Sequence, residues 1–574
     1  MDNSPAAAGV SKFSTAVMLL AGTAVMLPLL FPPFYCFFLA PFALVPFCVC
    51  VLRRPMRKGF VLAYYGLGLA FFIPNLFWLG PVTVGGFIAL AFFLAIYFPL
   101  FAVALHRLVV HLRVPATLAV PLAWVTLEYI RASYPLGGFP WFLLGNSFAP
   151  APVLIQVADI FGVWGISFFI AMLNGFVVDV LRLPLRVPGA GKQGGGFSPA
   201  IQSLSAAAAL ATAFVLVYGI FRLQQQTTRP GPRIAVIQEN IPQAIKDARD
   251  TRDDVYIRHL ELSLKAATST PRPAMVAWPE TMVIEPINLE LLRGEPDEFH
   301  TMEELRAALQ LAAKFDFEGD RISDVYKSLA DQVMATKVPL LVGYGSYQPG
   351  TKPSPSVIQN RTLLLSPGAT GAVRSKEYSK IHLVPFGEFI PFRGVPVLSR
   401  IMLLFSPVDF DYSNTPGTDW TRFALGERGE YKFGTPSCFE ATMPEPCRQM
   451  TAPQYGGGRK ADFLVNVSND GWFQWVELDQ HLQACQLRAV ENRVAIARSV
   501  NTGNSGFIDS NGRVVKLVRD AGGSSIGAVG FESWEMPIDS RVTIFSRIGD
   551  LFPIIGGVVS TLLVAWTFVR PRRG

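Results

Sequence analysis

The sequence predicts a multi-pass α-helical membrane domain of about eight spans joined to an extracytoplasmic α/β domain. Three observations carry this. Of 574 residues, 51% are hydrophobic and only 16% charged, more apolar material than one water-soluble core needs. The excess is gathered into runs of the length, about 20 residues, that crosses a ~30 Å hydrocarbon layer. A long central segment, by contrast, has mixed charge, short β-type runs and turn signals.

Taken in order, the apolar runs lie near 13–31, 34–51, 59–79, 84–106, 115–131, 152–181 and 199–221, with one more near 550–569. Cations flank every second connection: Arg53, Arg54, Arg57 and Lys58, then Arg107 and Arg113, then Arg182, Arg186 and Lys192, and last Arg570, Arg572 and Arg573. Under the positive-inside rule these ends are cytoplasmic. A cytoplasmic start near Lys12 then delivers the central segment to the outside after seven crossings, and the eighth returns the chain. The expected organisation is a membrane domain over 1–225, a catalytic domain over 232–545, and a C-terminal helix with its tail over 546–574. The net charge of +7 follows from this topology. No Lys/Arg stripe interleaved with aromatics marks a nucleic-acid surface.

Two competing readings of these segments are weak. The first run follows Lys12 as a signal peptide would, but it ends in Leu27-Pro28-Leu29-Leu30-Phe31-Pro32-Pro33 without a small-residue cleavage site. The glycines of 189–196 resemble a phosphate loop, but Gln193 stands where Ser or Thr is required, so a flexible linker is expected.

In the central domain, Arg233–Gln238 reads as a strand followed by a polar helix with Arg252, Tyr256, His259 and Leu264 at helical spacing. Met275–Trp278 is a buried strand that Pro279 ends. Val338–Tyr344 is another, and 361–368 with 373–378 reads as a hairpin. Tyr431–Gly434 and Ala461–Val467 precede two further loops. Glu280, Lys380 and Cys438 each fall just past a strand, where layered α/β folds build sites.

These residue types suit one chemistry. A carboxylate can take a thiol proton, and an ammonium can hold the charge that appears when the thiolate attacks a carbonyl. Glu280, Lys380 and Cys438 in this order therefore suggest a thioester-forming enzyme. The competing reading of Cys438 is a bridge to Cys447, which an oxidising compartment permits. Cys36, Cys48 and Cys50 lie in an apolar run and read as small hydrophobes. No His/Cys/Asp spacing suggests a metal, and none is expected.

Trp278-Pro279-Glu280, Lys380 with His382-Leu383-Val384-Pro385-Phe386-Gly387-Glu388, and Cys438-Phe439-Glu440 resemble the motifs of bacterial apolipoprotein N-acyltransferases, membrane-embedded members of the nitrilase superfamily. The likeness extends to 466–473, Gln480-His481, 498–503, Glu128-Tyr129-Ile130-Arg131 and Gly138-Phe139-Pro140-Trp141, so it covers most of the chain.

That resemblance implies a nitrilase-like αββα four-layer sandwich outside the bacterial inner membrane. It further implies a phospholipid acyl donor, a diacylated lipoprotein acceptor, no cofactor, and Glu280, Lys380 and Cys438 as the catalytic triad. Glu388 is expected to orient Lys380, and Glu440 to stabilise the loop or the acyl intermediate. The backbone N–H of Phe439 would bind the oxyanion. Phe439 departs from the family's usual Tyr, which removes any role for a phenolic hydroxyl. Asn469 and Trp472 are expected near substrate, with an Asx turn and core packing as their plainer alternatives. Trp141 and Phe139 suit amphipathic anchors at the membrane boundary, with simple core packing the preferred reading for most such aromatics, and His382 is expected as a packed histidine. The acidic stretch 290–321 reads as a surface insertion. The cycle needs one chain, so a monomer is expected. A membrane-tethered amidase, with water resolving the thioester, is the rival enzyme. A transporter or sensor with a ligand-binding outer domain is the rival outside catalysis.

Overall fold

The computed structural model describes residues 5–53, 56, 58–184, 198–247, 252–283, 319–348, 357–368, 373–404, 412–453, 460–473 and 475–569. The acidic stretch 290–321 lies almost wholly outside the described residues. So do the glycine-rich linker and Arg54, Arg57, Arg186, Lys192, Arg570, Arg572 and Arg573. The chain divides into two compact units, Met1–Gln226 with Thr543–Gly574, and Thr227–Val542.

The first unit is helical, and the chain is a multi-pass membrane protein. Among the described residues, four helical segments are long and apolar enough to cross a bilayer: Val84–His111, Ala158–Arg182, Pro199–Gln224 and Leu551–Val569. The run at 34–51 departs from a continuous span. It forms a short 3-10 turn and a helix, Val45–Arg53, of 9 residues, about 13 Å at 1.5 Å per residue. Hydropathy registers apolar length but not the break before Val45. The helix Ala158–Arg182 is broken at Gly162, whose φ of 66° favours glycine and whose missing Cβ leaves room for the Phe545 ring. The C-terminal helix belongs to this unit. Trp164 Nε1 donates to Asp550 Oδ1 at 2.8 Å, and Phe161 and Phe168 pack on Phe552.

Several buried polar groups in this unit are paired within it. Asp179 accepts from the N–H groups of Ala116 and Thr117 (3.0 and 2.8 Å), which satisfies the start of the helix Ala116–Ser133. Asp159 pairs with Arg222 and accepts from Tyr218. Glu128 accepts from Trp124 Nε1 and Leu144 N–H, while Arg131 donates to the carbonyls of Phe139, Trp141 and Phe142. The Glu128–Arg131 motif thus holds the loop carrying Gly138–Trp141. Trp141 takes the core-packing alternative rather than the role of a boundary anchor. It is buried between Phe139 and Trp78 because Arg131 draws its backbone inward.

The second unit contains fourteen named strands among the described residues. One six-stranded sheet runs β13 (Gly530–Glu535), β2 (Arg233–Gln238), β3 (Met275–Ala277), β4 (Leu340–Gln348), β5 (Val357–Pro367) and β6 (Val373–Ser379). The other runs β12 (Val514–Leu517), β11 (Gly506–Ile508), β10 (Ala495–Val500), β9 (Phe463–Ser468), β8 (Tyr431–Gly434) and β7 (Phe423–Leu425). β1 (Thr228–Arg229) pairs with β14 (Ile538–Asp539). Strands β2, β3 and β4 are parallel, as are β8, β9 and β10, and β5 and β6 form the expected hairpin.

Strand alternation divides the core. Ile234, Val236, Met275, Ala277, Leu341 and Leu364 share a core with Phe433, Phe463, Val465 and Ile496 of the other sheet. Their neighbours Ala235, Ile237, Val276, Leu340 and Leu363 face the opposite way, toward Leu262, Ala266, Leu329 and Val333 of the helices Arg252–Ala267 and Gly319–Thr336. The central strands of the first sheet are therefore buried on both faces, which is why β2 and β3 read as near-continuous apolar runs, while the edge strands β6 and β13 stay polar and partly exposed.

Candidate active site

Four strand ends converge. Glu280 follows β3, Lys380 follows β6, Cys438 follows β8 and Asn469 follows β9. Two antiparallel steps, β4 to β5 and β5 to β6, return β6 to the direction of β4, so all these residues leave their sheets at carboxyl ends. Ser499 Oγ on β10 lies 3.1 and 2.7 Å from the carbonyls of Ile237 and Ala277, with its one proton shared between them, tying the sheets together beside the site.

Glu280 is the hub. Its Oε1 accepts from Lys380 Nζ (3.0 Å), Asn360 Nδ2 (2.7 Å) and Ser437 Oγ (2.9 Å), and its Oε2 accepts from the Asn469 N–H (3.1 Å). Oε2 therefore retains acceptor capacity for a thiol proton. Burial alone would raise this carboxyl, but the Lys380 ammonium and these hydrogen bonds hold it below the usual carboxylate value. Lys380 also lies 2.9 Å from Glu388 Oε2. Against its own burial, the carboxylates of Glu280 and Glu388 push its ammonium well above the ordinary lysine value. The resting pair is ionic.

Cys438 stands at φ 45°, a left-handed conformation that a side chain tolerates at a cost and that recurs where function demands it. All six cysteines are free, Cys447 being buried in the sheet core, so the competing bridge is absent. Burial, then the Glu280 carboxylate, push the thiol well above its ordinary value, while Lys380 acts to lower it. The resting site thus holds a neutral thiol, a carboxylate and an ammonium. Thiol deprotonation then has to accompany the approach of an electrophile.

The remaining expected residues separate by contact. Glu388 accepts from Asn360 Nδ2 (2.8 Å) and the Val384 N–H (2.8 Å) while pairing with Lys380. Glu440 is fully buried and accepts from Tyr378 Oη (2.7 Å) and the N–H groups of Ile381 (2.9 Å), His382 (3.0 Å) and Ser437 (2.9 Å). It staples the Cys438 loop to the Lys380 loop. Phe439 is buried and Trp472 is 48% exposed, so Trp472 is outside the core. Asn469 makes the Asx-turn contact to Gly471 that was its plainer alternative. Its buried side chain donates to Gln243 and accepts from Gly471 and Asn501, while its backbone serves Glu280. His382 is partly buried beside Trp420, and burial lowers its imidazole.

Sequence reasoning missed Asn360 and Ser437, which place Glu280. An Asn amid the strand Val357–Pro367 was the available signal, since a buried strand amide needs partners. It also missed that Asp470, Glu477 and His481 lie within 4.8 Å of one another through ligand-type atoms. Arg498 Nη2, 3.4 Å from Asp470 Oδ2, supplies positive charge there.

Two substitutions test this frame. A Cβ on Gly343 would lie 2.6 Å from Glu280 Cα, inside contact distance. Gly343→Ala should displace Glu280 and slow acylation of Cys438 by roughly ten- to a hundredfold, read from initial rates. Glu440→Gln turns an amide toward donors, so it should lower stability by about 1–3 kcal/mol in thermal melts and slow acylation as the loop loosens.

The Carbon-nitrogen hydrolase family model matches residues 233–535, the unit that carries the site. The model of the Apolipoprotein N-acyltransferase N-terminal domain matches residues 23–176. The chain is 29% identical to an apolipoprotein N-acyltransferase of Geobacter metallireducens over 90% of its own length and 88% of the relative's. It is 28% identical to one of Rhodopirellula baltica over 95% of each. Among solved structures, an amidase from Nesterenkonia sp. aligns with 56% of this chain and 95% of its own at 13% identity and a TM-score of 0.32. A CN-hydrolase superfamily protein from Xanthomonas campestris aligns with 54% and 92% at 17% identity and a TM-score of 0.32.

The central unit is an enzyme domain of the carbon-nitrogen hydrolase class. The chain as a whole belongs to the apolipoprotein N-acyltransferase family, the membrane-embedded branch of that class.

Proposed function

We propose that the chain moves a fatty acyl group from a phospholipid to the α-amine of a lipoprotein's N-terminal diacylglyceryl-cysteine, through a thioester on Cys438. The observation that carries this reading is the free thiol of Cys438 held beside the ionic pair Glu280–Lys380 in a chain with several apolar helices. Glu280 takes the Cys438 proton as sulfur attacks the ester carbonyl. Lys380 and the backbone N–H of Phe439 stabilise the oxyanion, with Trp472 beside the acyl substrate. The lysophospholipid alkoxide leaves with the proton from Glu280, the C–O bond breaking and the C–S bond remaining. The amine then attacks the thioester, gives its proton to Glu280, and expels the sulfur, which recovers that proton.

Burial energetics support a bilayer source for both substrates. An acyl chain of about sixteen carbons, at ~0.8 kcal/mol per CH₂, loses more than roughly 10 kcal/mol on entering water. The proposal includes eight membrane passages, the one at 34–51 made by a turn and the short helix Val45–Arg53 rather than by a continuous helix, a catalytic unit of αββα layers on the periplasmic side of the inner membrane, and action as a monomer. Its domains run 1–225, 232–545 and 546–574.

Intact-mass measurement after mixing protein with phospholipid tests it. An acyl adduct on Cys438 that disappears as a diacylated peptide becomes triacylated is the expected result. Release of free fatty acid with the peptide unchanged would instead identify a membrane-tethered amidase-type hydrolase.

A further inference from the structure

Next to Asn469, whose N–H holds Glu280 Oε2, lies a group of buried polar side chains that the proposed reaction does not use. Asp470 follows Asn469 in the turn after β9, and the helix Trp475–Asn492 brings Glu477 and His481 beside it. Their spacing of four residues puts both on one helical face, the spacing at which two side chains of a helix can hold one ion. Asp470, Glu477 and His481 are 0%, 1% and 1% exposed. One ligand-type atom from each lies within 4.8 Å of the others. His481 Nδ1 is 3.3 Å from Asp470 Oδ1 and 3.8 Å from Glu477 Oε1.

Glu477 separates this group from an ordinary hydrogen-bonded cluster. Both of its carboxylate oxygens are buried, and neither has a hydrogen-bond partner. A carboxyl group left so is costly whether ionised or protonated. Asp470, by contrast, is served on both oxygens, Oδ1 by Ser468 Oγ at 2.5 Å and Oδ2 by Arg498 Nη2 at 3.4 Å. Arg498 also donates to Cys485 Sγ (2.7 Å) and the Asn504 carbonyl (3.4 Å), and it makes no hydrogen bond to Glu477.

Two carboxylates facing one guanidinium leave a buried negative charge unmatched. A proton on Glu477 would cancel that charge and still leave its O–H without an acceptor. A divalent ion would cancel the charge and give Glu477 Oε1 a partner shared with the other two residues. Zinc binds imidazole nitrogen and carboxylate oxygen at ~2.0–2.2 Å, which sets tetrahedral ligands roughly 3.3–3.6 Å apart. The three atoms, 3.3 Å to at most 4.8 Å apart, need to draw in by no more than about an ångström.

We propose that Asp470, Glu477 and His481 form a site for one divalent transition-metal ion of the zinc class. The ligands are Asp470 Oδ1, whose other lone pair takes the Ser468 hydroxyl, Glu477 Oε1 and His481 Nδ1. Arg498 stays on the far oxygen of Asp470. The ion is structural, joining the turn that follows Asn469 to the helix Trp475–Asn492. Both Glu477 and His481 Nδ1 bind without their protons, so uptake releases protons to water, and no electrons are exchanged. Chain spacing alone carried no such expectation. The acyl transfer proposed above has no step through this ion, so the two readings stand or fall separately.

Metal content tests the site. Full-length protein is purified in detergent from cells grown with added zinc, passed over a chelating resin, and its zinc counted by plasma mass spectrometry. Wild type should hold about one zinc per chain, and Glu477→Gln less than about a tenth of that. Glutamine matches a protonated glutamate in shape and charge, so a role in packing alone would survive this change, whereas a neutral amide is a poor zinc ligand. His481→Gln should lose the ion likewise, and it replaces Glu477→Gln if that variant fails to fold. Wild type from zinc-depleted medium should melt at a lower temperature than zinc-grown wild type, a difference that the folded variant does not show. Wild type holding less than about a tenth of an equivalent would overturn the site. So would equal zinc in wild type and the folded variant, which marks an ion bound elsewhere, or identical melting of zinc-grown and zinc-depleted wild type.

Discussion

Cys438→Ala should yield protein that accumulates no acyl adduct and transfers acyl groups at least ~10⁴-fold more slowly than wild type, since no other group can supply the sulfur. Its fold should survive. Alanine loses one small, half-buried sulfur and meets the same backbone constraint at φ 45°, so stability should change by no more than about 1–2 kcal/mol. Intact mass and a thermal melt on the same sample separate the two effects. Unchanged transfer by this variant would remove the nucleophile, and with it the proposed reaction.

Lys380→Met should be as severe for rate and much worse for the fold. Without the ammonium, the carboxylates of Glu280 and Glu388, both bonded to the same Nζ and bridged by Asn360, are left buried without their cation. Breaking such a pair costs roughly 3–5 kcal/mol, and loss of the oxyanion's cation should cost about 10²–10³ in acylation. Glu280→Gln makes the informative comparison. It removes the base, at about 10²–10⁴ in rate, yet leaves Lys380 paired with Glu388, so the melt should shift far less. Similar melting losses in both variants would show that the cation is not what balances this site.

The same pair fixes the sign of the pH response. The Glu280 carboxyl titrates below its ordinary 4.5, so its stabilising contribution is complete above that value and disappears as pH falls through the lower folded value. Lys380 titrates well above 10.5, so its contribution is complete below 10.5 and is lost as pH rises through the folded value. Single-turnover acylation should accordingly be flat between about pH 5.5 and 9.5. A sharp limb near neutrality would place another ionisable group in the rate-limiting step.

Much of this site was legible because its residues sit in motifs that punctuate strands. Pro279 stops β3 immediately before Glu280, and the hairpin of β5 and β6 ends at Lys380. Composition and residue type alone therefore carried the membrane class, the α/β character of residues 232–545 and the order carboxylate, ammonium, thiol. They could not carry the partners of those groups. Asn360 serves Glu280 across 80 residues, and Ser437 reaches it across 157. The charge state of Glu280, the freedom of Cys438 from Cys447, the inward turn of Trp141 and the return of the C-terminal helix to the first unit were likewise decided by tertiary structure. Periodicity and turn chemistry act over a few residues and are written in the chain. Hydrogen bonds, desolvation and charge pairing depend on distance in space, and only the packed sheets bring those atoms together.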